Sequence, residues 1–235
     1  MQKSIKHFKS PPKKYQPKGL TILYEDHDIL VIDKTSGLLT VGTEKVKENT
    51  VHYRLNSYVQ KGNPKSKNRI HIVHRLGRDT SGILLFAKNE NAKRYLQEEW
   101  QNFKKTYYAV VRGIVSLKEN VIISYLAENS IHRMYSVDNP ENGKLAETGY
   151  KVLRESRTYS LLEVYLLTDR KNQIRVHLSE KGCPVAGDKI YGEKEKGIKR
   201  LALHSASLTI KHPYSKEAMT FETKLPTYFK TLMKI

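Results

Sequence analysis

The 235-residue sequence predicts a globular chain of mixed strand and helix, whose core fills either one body or a domain made of two halves. Three observations carry this. Apolar residues make up 38% of the chain and charged residues 28%, the balance of a soluble core under a heavily charged surface. Short runs alternating apolar and polar residues recur from Leu20 onward, with two stretches of helical spacing among them. No run of about 18 apolar residues occurs and the N-terminus lacks an apolar leader, so the expectation is a cytoplasmic chain without a membrane partner.

Charge narrows the partners. Forty-two Lys and Arg stand against twenty-four Asp and Glu, a formal net charge of +18. Such a bias points to a polyanion, nucleic acid first, because each neutralised phosphate releases condensed counterions. An anionic membrane surface would call for a basic amphipathic helix with a broad apolar face, and the sequence has none. Cys183 is the only cysteine, which excludes an intramolecular disulfide and argues against a thiolate metal site.

The elements follow in order. Residues 1–19 hold Lys3, Lys6, Lys9, Lys13, Lys14 and Lys18 with Pro11, Pro12 and Pro17 and no acidic residue, so they are read as a flexible basic arm that either touches RNA or only adds solubilising charge. Residues 20–24 and 29–32 read as strands around a turn at 25–28. Asn49 or Thr50 caps a helix that buries Val51, Leu55, Tyr58 and Val59 on one side. Residues 61–69 form a basic loop. Next comes the stretch His71-Ile72-Val73-His74-Arg75-Leu76-Gly77-Arg78-Asp79-Thr80-Ser81-Gly82-Ile83-Leu84-Leu85-Phe86-Ala87-Lys88, read as strand, exposed polar loop, strand. Its loop concentrates chemistry, since Arg75 and Arg78 offer planar donor forks to phosphate or carboxylate. His71 and His74 have a metal-like spacing but point to opposite faces of a strand, with no Cys or acid beside them, so zinc is not expected. Residues 91–101 read as a second helix, with Trp100 a packing residue. Residues 105–113 read as a strand and 114–167 as a run of antiparallel strands with a turn at 138–143. A strand over 159–167 then leads into a helix carrying Gln173, Arg175 and His177.

Four of these stretches, in order, resemble the RluA-type RNA pseudouridine synthases. Asp33-Lys34-Thr35-Ser36-Gly37-Leu38 is similar to the family's first motif, with Thr35 where proline is usual. Residues 74–88 resemble the second, His-Arg-Leu-Asp-x-x-Thr-Ser-Gly and an apolar strand ending in Ala-Lys. Lys105-Thr106-Tyr107-Tyr108-Ala109-Val110-Val111-Arg112-Gly113 resembles Lys-x-Tyr-x-Ala-x-Val-x-Gly. Thr168-Asp169-Arg170-Lys171-Asn172-Gln173-Ile174-Arg175-Val176-His177 resembles Thr-Gly-Arg-x-x-Gln-Ile-Arg-Val-His. The likeness spans roughly 20–230. It implies an α+β fold: a large curved mixed, largely antiparallel sheet with helices on its outer faces and an RNA-binding cleft. Residues 20–235 would then be one catalytic domain with no accessory N-terminal RNA-binding domain, working as a monomer.

The resemblance further implies uridine-to-pseudouridine isomerisation in ribosomal or transfer RNA after base flipping, with no cofactor or metal, because substrate and product are isomers. Arg75 would fill the space of the extruded base, Tyr107 would lie against the uracil, and Arg170 would pair with the catalytic carboxylate. Lys34, Arg78, Lys105 and Arg175 are expected at the RNA along with Arg75. One departure bears on the chemistry. The family's catalytic aspartate follows the leucine of the second motif, and Gly77 occupies that position, whereas Asp169 stands where the third motif has glycine. Three readings are open: Asp169 supplies the carboxylate, Asp79 supplies it after the loop is rebuilt, or the chain is a catalytically silent RNA-binding protein of the same fold.

Overall fold

The computed structural model describes residues 8–44, 46–61, 63, 65–193 and 197–235. It divides into two compact units: Met1–Phe103 with Ser207–Thr223, and Lys104–Ala206 with Lys224–Ile235.

The first unit opens with β1 (Leu20–Glu25) and β2 (Ile29–Lys34), an antiparallel pair. Asp26 closes their turn because its Oδ1 accepts the backbone N–H groups of Asp28 and Ile29, both at 2.8 Å. α1 (Val51–Gln60) begins at Thr50, whose hydroxyl accepts from the N–H of Tyr53, and buries Val51, Leu55 and Val59 at helical spacing. Tyr58 turns sideways and donates to Glu25 at 2.8 Å. β3 (His71–Ile72) and β2 both pair antiparallel with β4 (Ser81–Ala87). β4 is buried from Gly82 to Ala87, as its unbroken apolar run requires. α2 (Glu90–Glu98) starts under an Asn89 cap and stops short of the expected 101, because the chain tightens into a 3-10 turn at Trp100–Asn102. That turn drops Trp100 into the core, against Phe103 and under the stacked ring of His74 at 4.0 Å.

The second unit carries five strands, β5 (Lys104–Arg112), β6 (Glu119–Glu128), β7 (Met134–Val137), β8 (Lys144–Glu155) and β9 (Tyr159–Leu166). They form an antiparallel sheet in the order β5-β9-β8-β6-β7. Gly149 of β8 lies opposite Tyr165 of β9, and a Cβ there would stand 1.9 Å from the tyrosine ring, so only glycine fits. α3 (Gln173–Glu180) packs on β7 and β8, with Val176 in a small core of Leu126, Met134, Ala146 and Tyr191. β10 (Leu203–Lys211) starts in this unit and ends in the first, where it pairs with β11 (Ala218–Glu222). α4 (Thr227–Met233) returns to the second unit and buries Phe229. The expected α+β class, with a mostly antiparallel sheet and flanking helices, is thus observed. No helix among the described residues is long and apolar enough to cross a membrane.

Of the arm read as flexible, residues 1–7 lie outside the described residues. Residues 10–17 are pinned instead of loose. Ser10 donates to the carbonyl of Ile22 at 2.6 Å, and the Gln16 side chain accepts from the N–H of Ile22 at 2.9 Å while donating to the Pro11 carbonyl at 2.8 Å. Lys13–Tyr15 is a single 3-10 turn. Side-chain amide bonding offsets the disorder that proline and like charge favour.

Candidate active site

The polar loop between β3 and β4 is held by its carbonyls. Thr40 donates to the carbonyl of Leu76 at 2.8 Å and Ser36 to that of Asp79 at 2.8 Å. The carbonyl of Arg78 receives both the N–H of Gly37 at 2.9 Å and the Lys34 ammonium at 3.0 Å. The first motif therefore clamps the backbone of the second, leaving the side chains of Arg75 and Arg78 exposed. Arg75 makes no hydrogen bond or ion pair among the described residues. Arg78 meets Asp79 at 3.3 Å in a solvated pair, an arrangement that shapes the loop.

Lys34 is a correction. Expected at the RNA, it is 0% exposed, and its ammonium donates to the carbonyls of Thr35, Leu38 and Arg78. Burial pulls it down to about 8, against the opposing charges of Asp79 and Asp33. Arg175 is a second correction. Its guanidinium grips Asp188 with Nε–Oδ2 at 2.6 Å and Nη2–Oδ1 at 2.7 Å, donates to Asn172 at 3.0 Å and stacks over Tyr191. Asp188 is held below the usual carboxylate range by Arg175 and two backbone N–H groups, which outweigh its burial. Both cations are engaged inside the fold, Lys34 by three carbonyls and Arg175 by Asp188. The histidine reading also changes: His71 does have an acidic neighbour, Glu90, at 3.0 Å, while His74 accepts the N–H of Leu85 at 3.0 Å. These are local pairings on separate partners.

Gly77 is exposed, and its φ lies outside the left-handed region. A Cβ built there meets only the Thr80 hydroxyl, at 3.4 Å, an ordinary contact. The backbone does not require glycine, so the absence of a carboxylate at this position is a feature of the side chain alone.

In the second unit, Lys105 and Tyr107 occupy alternate positions of β5 and share its buried face, at 4% and 8% exposure. The register with β9 runs from Arg112↔Tyr159 to Thr106↔Tyr165, so the next step of β5 reaches the end of β9, three residues before Asp169. The Asp169 charge is felt by both side chains. Burial lowers the Lys105 ammonium and Asp169 opposes that; burial raises the Tyr107 phenol, Asp169 adds to the rise, and a hydrogen bond with Ser205 partly offsets it. Lys105, Tyr107 and Asp169 thus come together. Arg170 aims elsewhere, its Nε donating to the carbonyl of Leu145 at 3.0 Å.

The loop that carries Asp169 and Arg170 is fixed by Gln173, a residue whose part the motif string did not reveal. Its carboxamide oxygen accepts from the Arg170 N–H at 3.0 Å and the Thr168 hydroxyl at 2.9 Å, and its nitrogen donates to the Glu147 carbonyl and the Thr148 hydroxyl. His177, one helical turn on, bonds Thr148 through Nδ1 and Ser124 through Nε2, both at 2.9 Å. Burial lowers this imidazole to about 4. A polar pair at i and i+4, on a helix otherwise apolar on that side, is the signal that could have identified it.

The family model described as RNA pseudouridylate synthase matches residues 28–180. An uncharacterized RNA pseudouridine synthase of Bacillus subtilis, YhcT, is 33% identical over 225 residues, covering 92% of this chain and 72% of that protein. Ribosomal large subunit pseudouridine synthase C of Vibrio parahaemolyticus is 32% identical over 221 residues, covering 90% and 68%. Among solved structures, Human RNA Pseudouridylate Synthase Domain Containing 1 superposes with a TM-score of 0.75 at 27% identity, over 92% of this chain and 87% of that one. Matched through most of its length by sequence, and in fold by a solved relative, this chain belongs to the RNA pseudouridylate synthase family.

Proposed function

We propose that this family member isomerises uridine to pseudouridine in RNA and that Asp169 is its carboxylate. The supporting observation is that Asp169 shares its surroundings with two buried side chains, Lys105 and Tyr107, while position 77 offers no acid. The reaction breaks the bond from uracil N1 to ribose C1′, turns the base and joins C5 to C1′. The C5 proton leaves and N1 gains one, so atoms balance without a redox partner. A carboxylate is needed at the sugar, as nucleophile at C1′ or base at C2′.

In this reading Lys105 takes the place assigned by resemblance to Arg170, as the cation beside the carboxylate. Arg170 braces the loop through Leu145. Tyr107, its phenol raised by burial, stays neutral at physiological pH and offers a ring face to the uracil. Arg75, exposed on a loop whose backbone is clamped, is available to the RNA, and by resemblance it fills the space of an extruded base. Asp79 stays a loop residue, engaged with Arg78. Residues 20–235 act as the catalytic domain. Ribosomal RNA is the substrate class, by likeness to relatives named for the large ribosomal subunit.

A second reading, a silent RNA-binding protein, draws on Gly77 alone. Mapping pseudouridine in ribosomal RNA from cells with and without this chain tests the activity. The expected result is at least one uridine left unmodified when the chain is absent; identical maps would contradict it.

A further inference from the structure

A groove of about 460 Å³ lies in the first unit between the Lys13–Tyr15 turn and α1. Its walls include Lys14, Tyr15, Lys18, Tyr53, Arg54 and Tyr58, and no acidic residue among the described ones lines it. We infer that this groove is a second RNA-docking site, which takes a single-stranded flank of the RNA by stacking a base on tyrosine and placing phosphates beside lysine.

Four features support that occupant over an apolar peptide or a lipid. Tyr15 and Tyr53, 62% and 45% exposed, both line the depression, one from the 3-10 turn and the other from α1. The Lys14 ammonium sits 4.8 Å over the Tyr15 ring, so cation and ring form one platform. Arg54 donates to the Lys18 carbonyl and to Asn49, fixing the two walls to each other, and Tyr58 is held by Glu25 at 2.8 Å. The turn that supplies Lys14 and Tyr15 is tied down by the Ser10 and Gln16 hydrogen bonds to β1, so the groove is formed before any ligand arrives. Rigid aromatic faces with cations beside them match the needs of a single strand, which any base satisfies through its π-face. Every residue of the groove lies outside the four motifs, so the site is independent of the carboxylate question.

The test uses the full chain and a dye-labelled, unstructured oligouridine carrying one photoreactive halogenated uracil. Anisotropy should show the double variant Tyr15→Ala/Tyr53→Ala binding about tenfold more weakly than wild type. Tyr15→Phe/Tyr53→Phe should bind like wild type, separating loss of the ring from misfolding. Crosslinks in the wild type should map to residues 14–18 or 53–58. Affinity unchanged in the alanine variant, or crosslinks confined to other segments, would overturn the groove and leave the isomerase reading standing. A wild type that does not bind the oligouridine would likewise overturn the groove.

Discussion

Lys34 donates its ammonium to the carbonyl oxygen of Arg78 at 3.0 Å, joining segments 44 residues apart in the chain. The contact explains why a lysine belongs in the first motif: its ammonium presents three donors to the carbonyls of Thr35, Leu38 and Arg78 beneath the loop. Lys34→Met should therefore lower the unfolding free energy by about 1–3 kcal/mol, measured by urea titration. It should leave the salt dependence of RNA binding unchanged; a shallower slope would return Lys34 to the RNA surface.

Arg175→Ala separates structure from recognition in the same way. Removing the guanidinium leaves Asp188, 1% exposed, without its cation, at an expected cost of about 3–5 kcal/mol. Arg175→Lys should recover little of it, because one ammonium cannot reproduce the two-pronged contact. Wild-type stability in Arg175→Ala, by thermal or urea unfolding, would contradict this assignment.

Acid should weaken the fold through histidine. His177 and His204 are both lowered by burial to about 4 from an ordinary 6.5. Between pH 6.5 and 4 the unfolded chain binds protons that the folded chain refuses, so stability falls as pH drops through that window, by up to about 3 kcal/mol for each ring. Thermal unfolding at stepped pH reads the slope, and His204→Phe should flatten part of it.

Gln173→Ala should reduce turnover while changing the apparent affinity for RNA little, because Gln173 positions the segment bearing Asp169 and Arg170 and is itself buried, at 2% exposure. A displacement of about 1 Å at that segment would cost about a hundredfold in rate. Single-turnover kinetics separate the two effects; an equal loss in affinity would assign Gln173 to RNA contact.

Gly77→Asp should fold as well as wild type, within about 0.5 kcal/mol, because the backbone is unstrained and only the Thr80 hydroxyl lies near a new Cβ. A large loss in thermal stability would show that glycine is needed there for shape.

The early strands, the antiparallel run within 114–167 and both early helices were legible from period, and the first helix also from its cap; Trp100 sat where a lone apolar tryptophan should. The basic residues were where reading failed. Composition shows that a lysine or arginine is cationic but not which side of its element it faces, so Lys34 and Arg175 read as RNA contacts although one is sequestered and the other is partnered by Asp188. The arm misled for a related reason: the glutamine and serine that pin it act on β1, and such a match between side chain and distant edge leaves no local pattern. The return of residues 207–223 to the first unit is equally invisible, being a pairing of segments far apart in sequence.

The carboxylate assignment is tested most directly by tritium release from RNA labelled at uracil C5. Wild type and Asp79→Ala should release tritium, and Asp169→Ala should be slower by about 10²–10⁴-fold. Undiminished release by Asp169→Ala, or an inert wild type beside an active Gly77→Asp, would contradict Asp169 as the catalytic acid residue of this chain.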